Sequence, residues 1–314
     1  MENVKLSLNG FRLDAEIKDV PIGFVNALRR IVLAEIPTVV VSNVEIVENS
    51  TQLTHEMLKH RMEMLPVNVR PDETGVIRDT RIELKTGTKE ESVDITTDDF
   101  QVSGPRKNVL LYDRDLDTPL MFLTMKPATV LHVKATLSIE TKGTSQVCVS
   151  TFKNHIDPEQ AKTDRILHIE NGGDPAVFDN FLYQRSYAKD ENGRPHWFDF
   201  TVESIGVVKA KDLVKKAVEV LQAKIVEWAK TPIQREEGGW YRMETEGETF
   251  TVAQLVQELM YAGGLVEFVS RDVGHPLVPK LTMRFNTKTV QPDAVVDKCK
   301  QEAIALCESV LKSV

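Results

Sequence analysis

Few residues in this sequence could do chemistry, and their spacing argues against most of it. His55 and His60 in His55-Glu56-Met57-Leu58-Lys59-His60 suggest a zinc-protease helix. That chemistry needs histidines at i and i+4, on one face. At i and i+5 they stand about 140° apart around a helix, so they read as solvated or packing side chains. Asp113, Asp115 and Asp117 alternate along YDRDLDT, a pattern that could hold calcium. An EF-hand loop opened by Asp113 needs Gly at its sixth position and Glu at its twelfth. Thr118 and Thr124 stand there instead. Cys148, Cys299 and Cys307 are the three cysteines. They are too few for a four-thiolate zinc site and read as packing residues of a protein in a reducing compartment. No Walker or dinucleotide glycine loop and no Gly-x-Ser-x-Gly elbow occurs; Asn171-Gly172-Gly173-Asp174 is a turn signal. Nothing assembles a nucleophile, a base and an oxyanion donor. The residues therefore point to a non-catalytic assembly protein that needs neither metal nor cofactor.

Composition agrees with a globular chain. With 314 residues and 41% apolar content, about two domains and a substantial core are expected. The net charge of −8 gives no overall electrostatic footprint for nucleic acid, so sequence-specific contact with it is not expected. The N-terminus is charged and alternating, without the apolar core of a signal peptide. Apolar runs such as Val39–Val41 fall far short of the ~20 residues of a membrane helix. A soluble, intracellular protein without membrane contact is expected.

The elements that would position these residues follow from periodicity. Val4, Leu6 and Leu8 alternate, Asn9-Gly10 signals a turn, and Leu13, Ala15 and Ile17 alternate again. After Pro21 the period becomes helical, with Phe24, Val25, Leu28, Ile31 and Val32 on one face and Asn26, Arg29 and Arg30 forming a basic patch on the other. Pro37 stops this helix. Residues 39–47 read as a buried strand and 54–64 as a second helix. Residues 71–195 change texture, with short alternating runs and a polar, turn-rich stretch over 154–192, and read as a β-rich insert. Regular structure returns with a strand after His196 and a long amphipathic helix over 211–230, whose apolar face includes Leu221 and Ile225. Residues 233–239 read as a linker. Then the order repeats: a strand at 240–250, a helix over 252–261 opened by a Thr251/Gln254 capping box, strands at 265–273 and 280–285, and a closing helix from Pro292. Its face comprises Val295, Val296, Cys299, Ala303, Leu306, Val310 and Leu311.

Two self-similar modules of helices on antiparallel strands thus lie in one chain. Each ends in a long helix whose apolar face exceeds what its small sheet can cover. The expected fold class is α+β: the modules pair with each other in an intramolecular pseudo-heterodimer and the purified chain is a monomer. The first module comprises 1–70 and 196–232, interrupted by the insert 71–195; the second comprises 240–314. Phe24, Leu28, Ile31, Val32, Leu221, Ile225, Leu306 and Val310 are the expected packing residues between them.

Several motifs resemble one family in the right order. VNALRRIVLAEIP from Val25, followed by ENSTQLTHEMLKHRMEMLPV, resembles the signature of alpha-like RNA polymerase subunits: bacterial alpha, the archaeal D subunit and the eukaryotic third subunit. HWFDFTVESIGVVKAKDLVKKAVEVL resembles the returning half of the same domain. LVEFVSRDVGHPLVPKLTMRF, with His275-Pro276-Leu277 and Pro279-Lys280-Leu281, resembles the small partner, the archaeal L or eukaryotic eleventh subunit. Both in one chain resembles the fused subunit of some large DNA viruses, which would place it in host cytoplasm and virion. The resemblance implies an assembly platform for the two largest polymerase subunits, with small subunits of the tenth-subunit type as further partners. It implies that Asn26, Arg29, Arg30, His275 and Pro276 contact partner subunits. The insert holds only Cys148, so the Cys-rich metal site of some family members is not expected. The small-partner module usually carries His-Thr-Leu/Ile-Gly-Asn where this chain has Thr249-Phe250-Thr251-Val252-Ala253-Gln254. Two other readings stand beside this one: a stand-alone enzyme using the insert's carboxylates, and an adaptor with a polymerase-like fold.

Overall fold

A computed structural model describes residues 1–141, 147–247, 250–274, 277, 280–287 and 290–313. The chain begins with β1 (Glu2–Ser7), β2 (Arg12–Lys18), α1 (Ile22–Ala34), β3 (Thr38–Asn49), α2 (His55–Glu63) and α3 (Thr74–Asp79). It continues through β4 (Arg81–Thr86), β5 (Val93–Thr96), β6 (Gln101–Ser103), β7 (Met121–Met125), β8 (Leu131–Glu140) and β9 (Val147–Asn154). Then come α4 (Pro158–Glu170), α5 (Pro175–Val177), β10 (Trp197–Ser204), α6 (Ala210–Trp228), β11 (Ile233–Arg235) and β12 (Trp240–Glu246). It closes with α7 (Phe250–Ala262), β13 (Phe268–Asp272), β14 (Lys280–Asn286) and α8 (Pro292–Ser313).

These elements form two compact units. The first comprises residues 1–32, 149–203 and 210–314. It holds two four-stranded sheets, ordered β1-β2-β10-β9 and β11-β12-β14-β13. Alternation builds the first sheet. Leu13, Ala15 and Ile17 of β2 lie opposite Val202, Phe200 and Phe198 of β10, and all six are buried. Between them Arg12, Asp14, Glu16 and Lys18 project to the other face, where Arg12 pairs with Asp14 at 2.9 Å. A period of two puts one set in the core and the other toward water. The second sheet repeats the device: Met243 faces Met283, and Thr245 faces Leu281. Asn9 and Gly10 adopt positive φ in the turn between β1 and β2, the conformation that Asn-Gly favours.

Helix α6 packs against α8 and α7, and α7 against α8. The expected pairing of the two modules is therefore found inside one unit. Leu221, Ile225 and Trp228 of α6 are fully buried, as are Cys299, Ala303 and Cys307 of α8. Positions 299, 303, 307 and 310 follow helical spacing, which turns Leu306 to the edge of the face. It is only half-buried, a correction to its expected place in the packing core.

The second unit comprises residues 33–148 and 204–209. Its main sheet is ordered β3-β8-β4-β6, beside the pair β5-β7. Its core gathers Val39, Val41, Leu58, Met62, Ile82, Leu84 and Val133.

This division departs from the expected boundaries. The first module was expected to run to residue 70, but β3 pairs with β8 along its length, from Thr38 opposite Glu140 to Asn49 opposite Leu131. Backbone hydrogen bonds and the packing of α2 on β3 draw residues 33–70 into the β-rich unit. Residues 149–195 belong to the first unit instead, because β9 adds to β10. The stretch expected to be turn-rich contains α4, started by the Asp157 side chain accepting from the Glu159 and Gln160 amides with Pro158 at the first helical position. The expected linker is also structured. Its residues Ile233–Arg235 pair with β12, Gln234 opposite Arg242.

Candidate functional site

The polar side of α1 meets α7 of the second module. Gly23 N donates to Glu258 Oε2 at 2.7 Å, Asn26 Nδ2 donates to Gln254 Oε1 at 3.1 Å, and Arg30 Nε donates to Thr251 Oγ1 at 3.0 Å. Positions 23, 26 and 30 share one side of α1, and 251, 254 and 258 one side of α7. Rising numbers on α1 meet falling numbers on α7, so the helices run antiparallel. The bonds interlock: Arg29 Nε and Nη2 donate to Asn26 Oδ1 at 3.1 Å, and Gln254 Nε2 donates to Glu258 Oε1 at 3.1 Å. Glu258 thereby places a carboxylate at the N-terminus of α1, where free amides and the helix dipole favour an anion. Gly23 permits the approach. A Cβ there would lie 2.7 Å from Glu258 Oε2 and 3.1 Å from Leu255 Cα.

This seam corrects two expectations. Asn26, Arg29 and Arg30 are half-buried and bonded within the chain rather than forming an open basic patch. Thr251 and Gln254 do not act as a capping box, because Phe250 already lies within α7. Their side chains are turned to α1. Sequence reasoning missed Glu258 and Gly23. The available signal was a glycine in the first turn of an otherwise strongly apolar helix, a mark of close backbone approach. Phe24, Leu28, Ile31 and Val32 are buried, as are Leu221, Ile225 and Val310. His275, Pro276, Pro279 and Thr249 lie outside the described residues.

The other candidates are not brought together. His55 and His60 are both exposed on α2. Asp113 Oδ1 accepts from the Asp115 and Leu116 amides at 2.9 and 2.8 Å, tying its own loop. Arg114 hydrogen-bonds Asp115 and holds that carboxyl below its ordinary pKa. Among the described residues, no group of three His, Cys, Asp or Glu could hold a metal ion, and no helix is long and apolar enough to cross a membrane. Cys299 and Cys307 are buried, and burial pushes both thiols up to about 12. Cys148, expected to be a packing residue, is exposed on β9, a correction that follows from its place on a strand where Val147 takes the buried face.

Two helix-on-sheet modules whose helices pack on one another within one polypeptide form a dimerisation-type architecture. The chain belongs to the RNA polymerase Rpb3/Rpb11 dimerisation domain family, which matches residues 15–225. A second match with the same description covers residues 241–313. Among relatives, the chain is 26% identical to DNA-directed RNA polymerase subunit Rpo3 of Natronomonas pharaonis, over 66% of this chain and 88% of that protein. It is 24% identical to the DNA-directed RNA polymerases I and III subunit rpac1 of Dictyostelium discoideum, over 64% and 72% respectively. A conjugation stage-specific protein of Tetrahymena thermophila is 38% identical, but over only 22% of this chain and 23% of its own length.

Proposed function

We propose that this chain is a non-catalytic assembly subunit of a multisubunit DNA-directed RNA polymerase, joining an alpha-like module of the D or third-subunit type to its small partner of the L or eleventh-subunit type. The observation that carries this reading is the α1–α7 seam: two matches to one dimerisation family lie in one chain, and their helices hydrogen-bond to each other. In this reading the platform nucleates the two largest subunits and takes small subunits of the tenth-subunit type. It needs no cofactor of its own. The tandem arrangement fits the fused subunit of large DNA viruses, which would act in host cytoplasm and virion. Arg29 and Arg30 contact the second-largest subunit, Asn26 contacts a partner subunit beside them, and His275 and Pro276 are assigned partner contacts on sequence alone. Arginine's rigid fork suits carboxylates and carbonyls at such an interface.

Co-purification of the tagged chain with its polymerase tests this. The parent should bring down both large subunits. Arg29→Ala and Arg30→Ala should lose the second-largest, since removing a central interface Arg costs about 2 kcal/mol or more of binding. Thr251→Val removes the acceptor of Arg30 within the chain but keeps the guanidinium, and should retain the partner. Failure of the parent to recover either large subunit would refute the reading. Full retention by both Arg variants would refute the assigned contact.

A further inference from the structure

We infer that the first unit carries a docking groove for an extended, basic peptide segment with an apolar anchor. The groove has a volume of about 810 Å3 and lies among the entry to α1, the turn before β10, the end of α7 and the start of β13. Its floor is apolar: Val20, Leu259 and Val269 are buried there, and Pro21 and Ile22 are half-buried. Two aromatic side chains line it in the open, Tyr261 at 55% and Phe268 at 53% exposure. Exposed aromatics with their apolar bodies toward a cleft are the usual anchors of peptide binding.

The charge around this floor selects the occupant. Asp19, Asp190, Glu258 and Glu267 line the groove against Arg194 and His196. Glu258 is committed to the Gly23 amide. Asp190 Oδ1 accepts from the Asn192 and Arg194 amides of its own turn, and the Asp19 side chain, 87% exposed, pairs with His196 Nδ1 at 3.3 Å. Arg194 shows how a cation sits here, its guanidinium 5.7 Å from the Tyr261 ring centroid. A carboxylate rim on a chain of net charge −8 repels nucleic acid and acidic peptides and steers cationic segments inward. The open lining, drawn from four separate segments of the chain, takes a strand of several residues, with Leu or Phe on the floor and Lys or Arg at the rim. Resting on the assembly reading above, this segment belongs to a neighbouring polymerase subunit.

The test is fluorescence anisotropy of the full chain with a labelled synthetic peptide of alternating Phe/Leu and Lys. Its twin with Glu in place of Lys is the control. The basic peptide should bind saturably and the acidic twin about tenfold or more weaker. Phe268→Ser and Tyr261→Ser, at exposed positions, should each weaken binding about fivefold or more. Asp19→Asn should weaken it too and flatten its salt dependence; Asn tolerates the positive φ of 55° at this position. Equal binding of the twin, indifference to all three substitutions, or no saturable binding below about 1 mM overturns the groove. The isolated chain reports on the groove alone, whereas co-purification of the large subunits reports on the assembly role, so the two can fail separately.

Discussion

Replacing Gly23 with Ala should weaken the pairing of the two modules although alanine is the better helix former. The added Cβ would meet Glu258 Oε2 at 2.7 Å, Glu258 Cδ at 3.0 Å and Leu255 Cα at 3.1 Å. The carboxylate can swing away, but the Leu255 backbone cannot move without shifting α7. Overpacking costs about 1–3 kcal/mol, and losing a hydrogen bond to a charged acceptor costs about 1.5–3 kcal/mol. Helix propensity returns about 1 kcal/mol. The net expectation is a loss of about 1.5–5 kcal/mol, which at a urea slope of about 2 kcal/mol/M lowers the midpoint by about 1–2.5 M. Trp197, Trp228 and Trp240 all lie in the first unit, so tryptophan fluorescence follows that unit alone. Glu258→Ala should cost about 1–3 kcal/mol by leaving the Gly23 amide unpaired. The double variant should lose less than the two together, by about 1 kcal/mol, because the new methyl occupies space the carboxylate has left. A Gly23→Ala protein that unfolds at the parent's urea concentration, or strictly additive losses, would refute the close approach of α1 and α7.

Leu28→Ala opens a cavity at a fully buried position and should lower stability by about 2–5 kcal/mol in the same fluorescence assay. Thiol labelling at neutral pH should modify Cys148 quickly and Cys299 and Cys307 only on unfolding, since the last two are buried. Their folded pKa values are raised by burial to about 12, so this stabilisation is complete below the ordinary thiol range and declines as pH rises toward about 12. Urea midpoints across the alkaline range should show it, and Cys299→Ala should reduce it. Asp14 is held below its ordinary pKa chiefly by the Arg12 hydrogen bond, with Thr201 adding a second. Its contribution is present above the unfolded value of about 3.9 and is lost as pH falls through the lower folded value. Asp14→Asn should flatten the acid limb of the midpoint–pH curve, and an unchanged limb would refute this.

Whatever rests on local period was legible in the residues alone. Alternation in Leu13, Ala15 and Ile17 sets a sheet face, and the spacing of Leu213, Val214, Ala217, Leu221 and Ile225 sets a helix face. Both are properties of backbone geometry that neighbours in the chain express directly. The repeated order of strand, helix and strands implied a paired architecture, because neither long helix could cover its apolar face alone. What α1 presents to its neighbour was a tertiary matter. Asn26, Arg29 and Arg30 read as a basic patch on the side of α1 away from its apolar face, and only the arrival of α7 from more than 200 residues away engages Asn26 and Arg30 within the chain. The same holds for β3, whose apolar run announced a strand but not its partner β8. Strand partners lie far apart in the chain, and pairing is chosen by the packing of the whole sheet. Leu306 and Cys148 differ from expectation for a smaller reason of the same kind: a residue's burial depends on which side of its element a distant segment covers.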